Sequence, residues 1–272
     1  MDHVNVWHWH PSVVLGLEGL LVLYLVAVGP LRIRFRWGPR PPARRVLAFV
    51  GGTLVMAVAL LGPLADLAEH VALSAHMAQH LLLTLVVPPL WLAGTPLWLI
   101  APLLRVPGLG RTGFILTRPL AAFVFGFAPL VVWHVPALYE AALDREAVHI
   151  LEHLTLLGSS LLAWWPVLGS LPEWPRPAAP ARLLYLFLAT IPMTVAAAPI
   201  ALADGVVYPF YTRGQAPWWP LTPMADQEVA GILMWMGGTV GYLIAGSIVF
   251  FRWASREGAD EATRGAPLPE PR

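Results

Sequence analysis

The sequence predicts an all-α, polytopic membrane protein: a bundle of seven transmembrane helices, amino terminus outside and carboxyl terminus cytoplasmic. Three observations predict it. The 272 residues are 57% hydrophobic and only 12% charged, about half the charged share of an ordinary soluble domain. Seven apolar stretches each approach the roughly 20 residues that a bilayer-spanning helix needs. The arginines gather in alternate connections between those stretches, as the positive-inside rule requires of cytoplasmic loops.

The spans follow in order. Span one covers about 12–31, span two about 46–64, and span three about 72–94 with a broken extension towards 104. Span four covers about 119–135, span five 147–168, span six 182–203 and span seven 227–251. No positively charged region precedes span one, so it reads as a retained helix and not as a cleaved signal. Span three contains Pro88-Pro89 and then Gly94-Thr95-Pro96. Two prolines remove two backbone donors, which predicts a kink or break there. Residues 1–251 form one membrane domain, and 252–272, rich in Pro, Glu and Arg, read as a disordered cytoplasmic tail.

Orientation rests on the arginines. The 1–2 connection holds Arg32, Arg34, Arg36, Arg40, Arg44 and Arg45. The 3–4 connection holds Arg105, Arg111 and Arg118, the 5–6 connection Arg176 and Arg182, and the end of the chain Arg252, Arg256, Arg264 and Arg272. Only Arg145 and Arg213 fall on the opposite side. The 6–7 connection carries Tyr208-Pro209-Phe210-Tyr211 and Trp218-Trp219-Pro220, which reads mainly as an interfacial aromatic belt. Asp226 reads as the N-cap of span seven. The net charge of +1 and the absence of a nucleotide-binding loop give no sign of a nucleic-acid partner.

Chemistry concentrates in the histidines. His76 and His80 lie four residues apart in span three, and His149 and His153 repeat the spacing in span five. Residues i and i+4 share a helix face, so each pair can converge on one centre. Ionisable side chains at membrane depth are costly and mark functional sites. With this topology all nine histidines fall in the outer half, including His3, His8 and His10 before span one and His70 between spans two and three. His134 ends span four and can join the pairs, while Glu152 is a further ligand or an orienting acceptor. Glu18 in span one is open to pairing with a histidine. No cysteine is present, which excludes thiolate sites and disulfides. Imidazole suits copper, zinc, iron and haem, and a thioether favours Cu(I). Met77 lies beside the first pair, Met234 and Met236 lie about two turns into span seven, and the metal-ligand candidates are His76, His80, His134, His149, His153 and Met234.

These residues resemble the CtaG family of bacterial cytochrome c oxidase assembly factors. The resemblance is carried by His76-Met77-Ala78-Gln79-His80 before the Pro-Pro pair, Trp133-His134-Val135-Pro136 with Tyr139, and His149 with Glu152-His153. It is carried further by Pro209-Phe210-Tyr211, Asp226-Gln227 and Gly231-Ile232-Leu233-Met234-Trp235, and covers most of 10–251. It implies a multi-pass protein of the bacterial inner or plasma membrane that serves the respiratory chain by maturing a haem–copper oxidase of the caa type. It also implies oxidase subunits as partners.

The leading expectation is therefore an assembly factor, not an enzyme, that binds or delivers copper through the histidine cluster. A periplasmic copper donor is a further expected partner, with His3, His8 and His10 available for capture. One alternative is haem held by facing imidazoles, as an electron carrier or haem-handling protein. Another is a cofactor-free scaffold that meets oxidase subunits through the 6–7 connection. A metal-dependent enzyme using Glu152 to activate water ranks last, since no nucleophile motif accompanies it.

Overall fold

The computed structural model describes residues 11–102, 106–169, 171, 174, 176–213, 216 and 218–264. Among the described residues the regular structure is entirely helical. The principal elements are α1 (Pro11–Phe35) and α2 (Ala43–Leu60), α3 (Pro63–His70), α4 (Leu73–Gly94) and α5 (Leu109–Leu116). They continue with α6 (Pro119–Trp133), α7 (Pro136–Asp144), α8 (Glu146–Leu168), α9 (Ala179–Ala201) and α10 (Pro223–Arg264).

Six helices, α1, α2, α4, α8, α9 and α10, are long and apolar enough to cross a membrane. The seventh candidate is α6 joined to α5 across an 85° bend. The 15 residues of α6 rise only about 22 Å, so this is the shortest crossing. Large apolar side chains such as Leu15, Leu47, Leu120 and Phe187 are exposed on the outside of the bundle, where a bilayer would cover them. The chain is a multi-pass membrane protein.

Small residues let these helices approach closely, as membrane bundles require. A Cβ on Gly126 of α6 would come within 2.7 Å of Ala163 Cβ on α8, and one on Gly94 of α4 would meet the Phe49 backbone of α2. Tyr24 of α1 stacks on Phe49, ring centroids 3.8 Å apart, and donates from its hydroxyl to the Gly94 carbonyl at 2.9 Å. The main core lies between α4, α6, α8, α9 and α10 and includes Met77, Phe127, Trp164, Met193 and Met234.

Span three does not break at Pro88-Pro89. A π-helical turn, Leu82–Val86, precedes the prolines and α-helix resumes at Val87. A widened turn absorbs the missing donors. The Thr84 carbonyl, which Pro88 cannot reach with an N–H, accepts a hydrogen bond from Trp164 Nε1 at 2.9 Å. The last helix also continues through 252–264, past the expected end of span seven at 251.

The bundle has two chemically distinct ends. One carries α3, α7 and the short Pro209–Thr212 turn beside the histidines. The other carries the α1–α2 and α8–α9 connections and the end of α10, with their arginines.

Candidate metal centre

The centre is built where α4 and α8 face each other. The start of α4 is pinned from α10: Asp226 accepts hydrogen bonds from the Ser74 amide at 3.2 Å and the Ser74 hydroxyl at 2.5 Å. Asp226 is thus not the N-cap of its own helix. Thr222 fills that place through its bond to the Ala225 amide, and Asp226 satisfies an amide at the start of a neighbouring helix instead. One turn further along α4, Gln79 Nε2 donates to the Ala59 carbonyl of α2 at 2.8 Å. These anchors set the rotation that turns His76 and His80 inward, 0% and 1% exposed.

The imidazoles meet edge to edge. His76 Nε2 lies 2.9 Å from His80 Nε2. From α8, Glu152 places one oxygen 3.6 Å from His80 Nε2 and the other 3.9 Å from His76 Nε2. The His76 ring centroid is 5.4 Å from that of His149 and 5.9 Å from that of His153. Ligating atoms of His76, His149, Glu152 and His153 all fall within 4.8 Å of one another. His80 and His134 border this set, with ring centroids 5.5 Å apart. The two pairs read from the sequence therefore share one cluster. Met234 is buried in the main apolar core. Glu18 is exposed on α1, and His3, His8 and His10 lie outside the described residues.

The hydrogen bonds orient the rings. The Ala68 carbonyl can only accept, so Tyr211 donates to it at 2.8 Å. The Tyr211 oxygen then accepts from His76 Nδ1 at 3.1 Å, which leaves the His76 Nε2 lone pair facing the cluster. By the same logic His134 Nδ1 donates to the Leu130 carbonyl at 2.6 Å, leaving its Nε2 as an acceptor. Tyr208 donates to the His134 carbonyl at 2.8 Å. Tyr139, fully buried, packs against Tyr208 with ring centroids 4.2 Å apart and the rings tilted by 38°.

Tyr208 and Tyr211 correct the sequence reading. They are 1% and 5% exposed and fold back onto the histidines, whereas Trp218 is exposed as a belt residue would be. The fold-back is held by α7, where Glu140 accepts the Phe210 amide at 3.0 Å. Gln227, read as a span-end residue, is buried and ties the same connection down through the Val207 amide and the Gly205 carbonyl. In the sequence, the nearest signal for Tyr211 is its place in the Pro209-Phe210-Tyr211 motif; its distance along the chain from His76 hides the contact.

Several buried polar atoms of the cluster have no hydrogen bond: both Glu152 oxygens, His134 Nε2, His153 Nε2 and His80 Nδ1. Such atoms normally demand a partner. Imidazole nitrogens with one carboxylate form a chemically suitable donor set for copper or zinc. Beside them a cavity of about 390 Å³ opens between α1, α2 and α8, bordered by Glu69, His70, Gln79, Glu146 and His149. Glu69 lies 3.9 Å from His149, and Gln79 Oε1 is a further buried oxygen without a hydrogen bond.

Fold and site together define a helical, multi-pass membrane protein with a buried histidine–glutamate cluster at one end. The family model for the cytochrome c oxidase caa3 assembly factor matches residues 22–256, and the chain belongs to that family. It is 25% identical over 268 residues to uncharacterized proteins of Mycobacterium bovis and Mycobacterium tuberculosis and 22% identical to one of Mycobacterium leprae. Each alignment covers 92% of this chain and 40% of the relative, so the chain spans about two fifths of their length. No solved structure matches.

Proposed function

We propose that this protein assists the assembly of a haem–copper cytochrome c oxidase by holding copper as cargo at the histidine cluster before transfer. The carrying observation is the convergence of His76, His149, Glu152 and His153 within 4.8 Å on a membrane-buried site of a protein in this family. His80 and His134 stand next to that set and would receive or relay the ion. The Nε2 lone pair of His76, held towards the centre by Tyr211, would be one ligand. Imidazole nitrogen with a carboxylate oxygen favours divalent copper over Cu(I). The largely apolar cavity beside the cluster, with Glu69 and Glu146 at its edge, supplies the approach. The arginine distribution supports placing the histidine end outside, where an external copper donor and oxidase subunits would meet it.

An ion fits this site better than haem. The imidazoles touch each other, with ring centroids 4.2–5.9 Å apart, and leave no planar slot for a macrocycle between α4 and α8.

Metal analysis of the purified protein after copper exposure tests the reading, with His76→Ala/His153→Ala as the comparison. Wild type should retain copper and the double variant should lose it, with oxidase activity falling in a deletion strain carrying the variant. Equal copper in both proteins overturns the proposal, and zinc alone in the wild type reassigns the ion. A histidine-free variant that still restores oxidase activity would favour the scaffold reading.

A further inference from the structure

The arginine end holds a second cavity that the histidine chemistry does not use. It encloses about 340 Å³ between α4, α8, α9 and α10, within the range of sites that hold small molecules. Arg176 and Arg182, from the α8–α9 connection and the start of α9, and Arg252 and Arg256, from the end of α10, border it from two separate stretches of chain. Among the described residues no ion pair involves any of the four. Arg182 Nε is buried without a hydrogen bond. Arg176, in the α8–α9 connection, has its pKa lowered by partial burial and then by repulsion from Arg182, Arg256 and Arg252. Guanidiniums that repel one another around a hollow space present a site for an anion.

The remaining walls are apolar, from Leu85, Val167, Ile248 and Val249 with Trp164 and Trp253. A shallow groove continues from Ile244, Ile248 and Arg252 along the outside of α10, past Val240, Leu243 and Phe251. A small inorganic anion has no use for such walls. An anionic head attached to a hydrocarbon tail fits both parts: phosphate among the arginines and chain along the groove. The positive-inside rule alone would place arginines at this end, but does not require those of two chain segments to converge on one cavity.

We propose that this cavity binds the phosphate headgroup of an anionic phospholipid, with Arg182, Arg252 and Arg256 as its main contacts and the α10 groove receiving an acyl chain. Arg176 is already engaged with the Val167 carbonyl and acts chiefly through its charge. The site is independent of the copper reading.

Native mass spectrometry of the full chain in mild detergent, mixed with equal phosphatidylglycerol and phosphatidylcholine, tests this. Wild type should retain phosphatidylglycerol selectively. Arg182→Gln/Arg252→Gln/Arg256→Gln should bind it roughly a hundredfold more weakly, from the usual contribution of each basic residue near a membrane surface. Arg40→Gln/Arg44→Gln/Arg45→Gln removes the same charge from the same end and should keep the lipid. No preference for phosphatidylglycerol in wild type, or equal loss in both triple variants, overturns the proposal. Displacement of the lipid by millimolar inorganic phosphate also overturns it, in favour of a free-phosphate site. If the first triple variant does not purify folded, Arg182→Gln alone should weaken binding about fivefold, and wild-type binding in that variant overturns the site.

Discussion

Replacing Tyr211 with phenylalanine removes one oxygen atom and the two hydrogen bonds that orient His76, to the Ala68 carbonyl at 2.8 Å and from His76 Nδ1 at 3.1 Å. Nothing else in the ring need change. Without that oxygen, His76 is free to carry its proton on Nε2 and aim an N–H at the cluster in place of a lone pair. Partners that orient metal-binding imidazoles typically account for 10–100-fold in metal affinity, or about 1.4–2.8 kcal/mol. The Ala68 carbonyl near the end of α3 loses one donor but stays within hydrogen-bond reach of His76, so stability should fall by about 1 kcal/mol. Copper affinity is read by competition with a chromophoric chelator in detergent, and stability by thermal unfolding of the same preparation. Tyr139→Phe is the comparison: its hydroxyl sits 3.4 Å from that of Tyr211, a weak contact, and should change affinity less than about threefold. A Tyr211→Phe protein with a lowered Tm but copper affinity within twofold of wild type would refute the orienting role.

Two further outcomes follow from the geometry. Trp164→Phe keeps an aromatic ring against Tyr242 but strips the donor from the Thr84 carbonyl, so thermal unfolding should show a loss of about 1–3 kcal/mol with copper content unchanged. Glu69→Gln removes a carboxylate at the mouth of the cavity beside His149; stopped-flow loading should slow several-fold, as expected for a rim charge, with equilibrium affinity nearly unchanged.

Much of the architecture was legible in the sequence because lipid imposes simple rules. A helix must be long and apolar enough to span, so the candidate spans agree with the observed helices to within a few residues at most ends. The Pro88-Pro89 pair showed where backbone donors were missing, but not how the chain would respond. A distant indole, Trp164, lies within reach of the freed carbonyl, beside a widened turn, and the helix continues. The i, i+4 spacing likewise put His76 with His80 and His149 with His153, since 3.6 residues per turn leave little choice.

The sequence by itself determined the membrane setting, the number of candidate crossings, the separation of arginines from histidines along the chain, and the two imidazole pairs. Those follow from composition and local periodicity, which act over a few turns. Only the tertiary structure decided that both pairs share one cluster, that Glu152 turns into it, and that Tyr211, 135 residues from His76, orients a ring. It also decided that Asp226 anchors α4 and not its own helix, and that arginines from two chain segments converge on one cavity. Each depends on how helices rotate and pack against one another, and that is set by contacts such as Gly126 on Ala163 and Gln79 on Ala59, which no local pattern records.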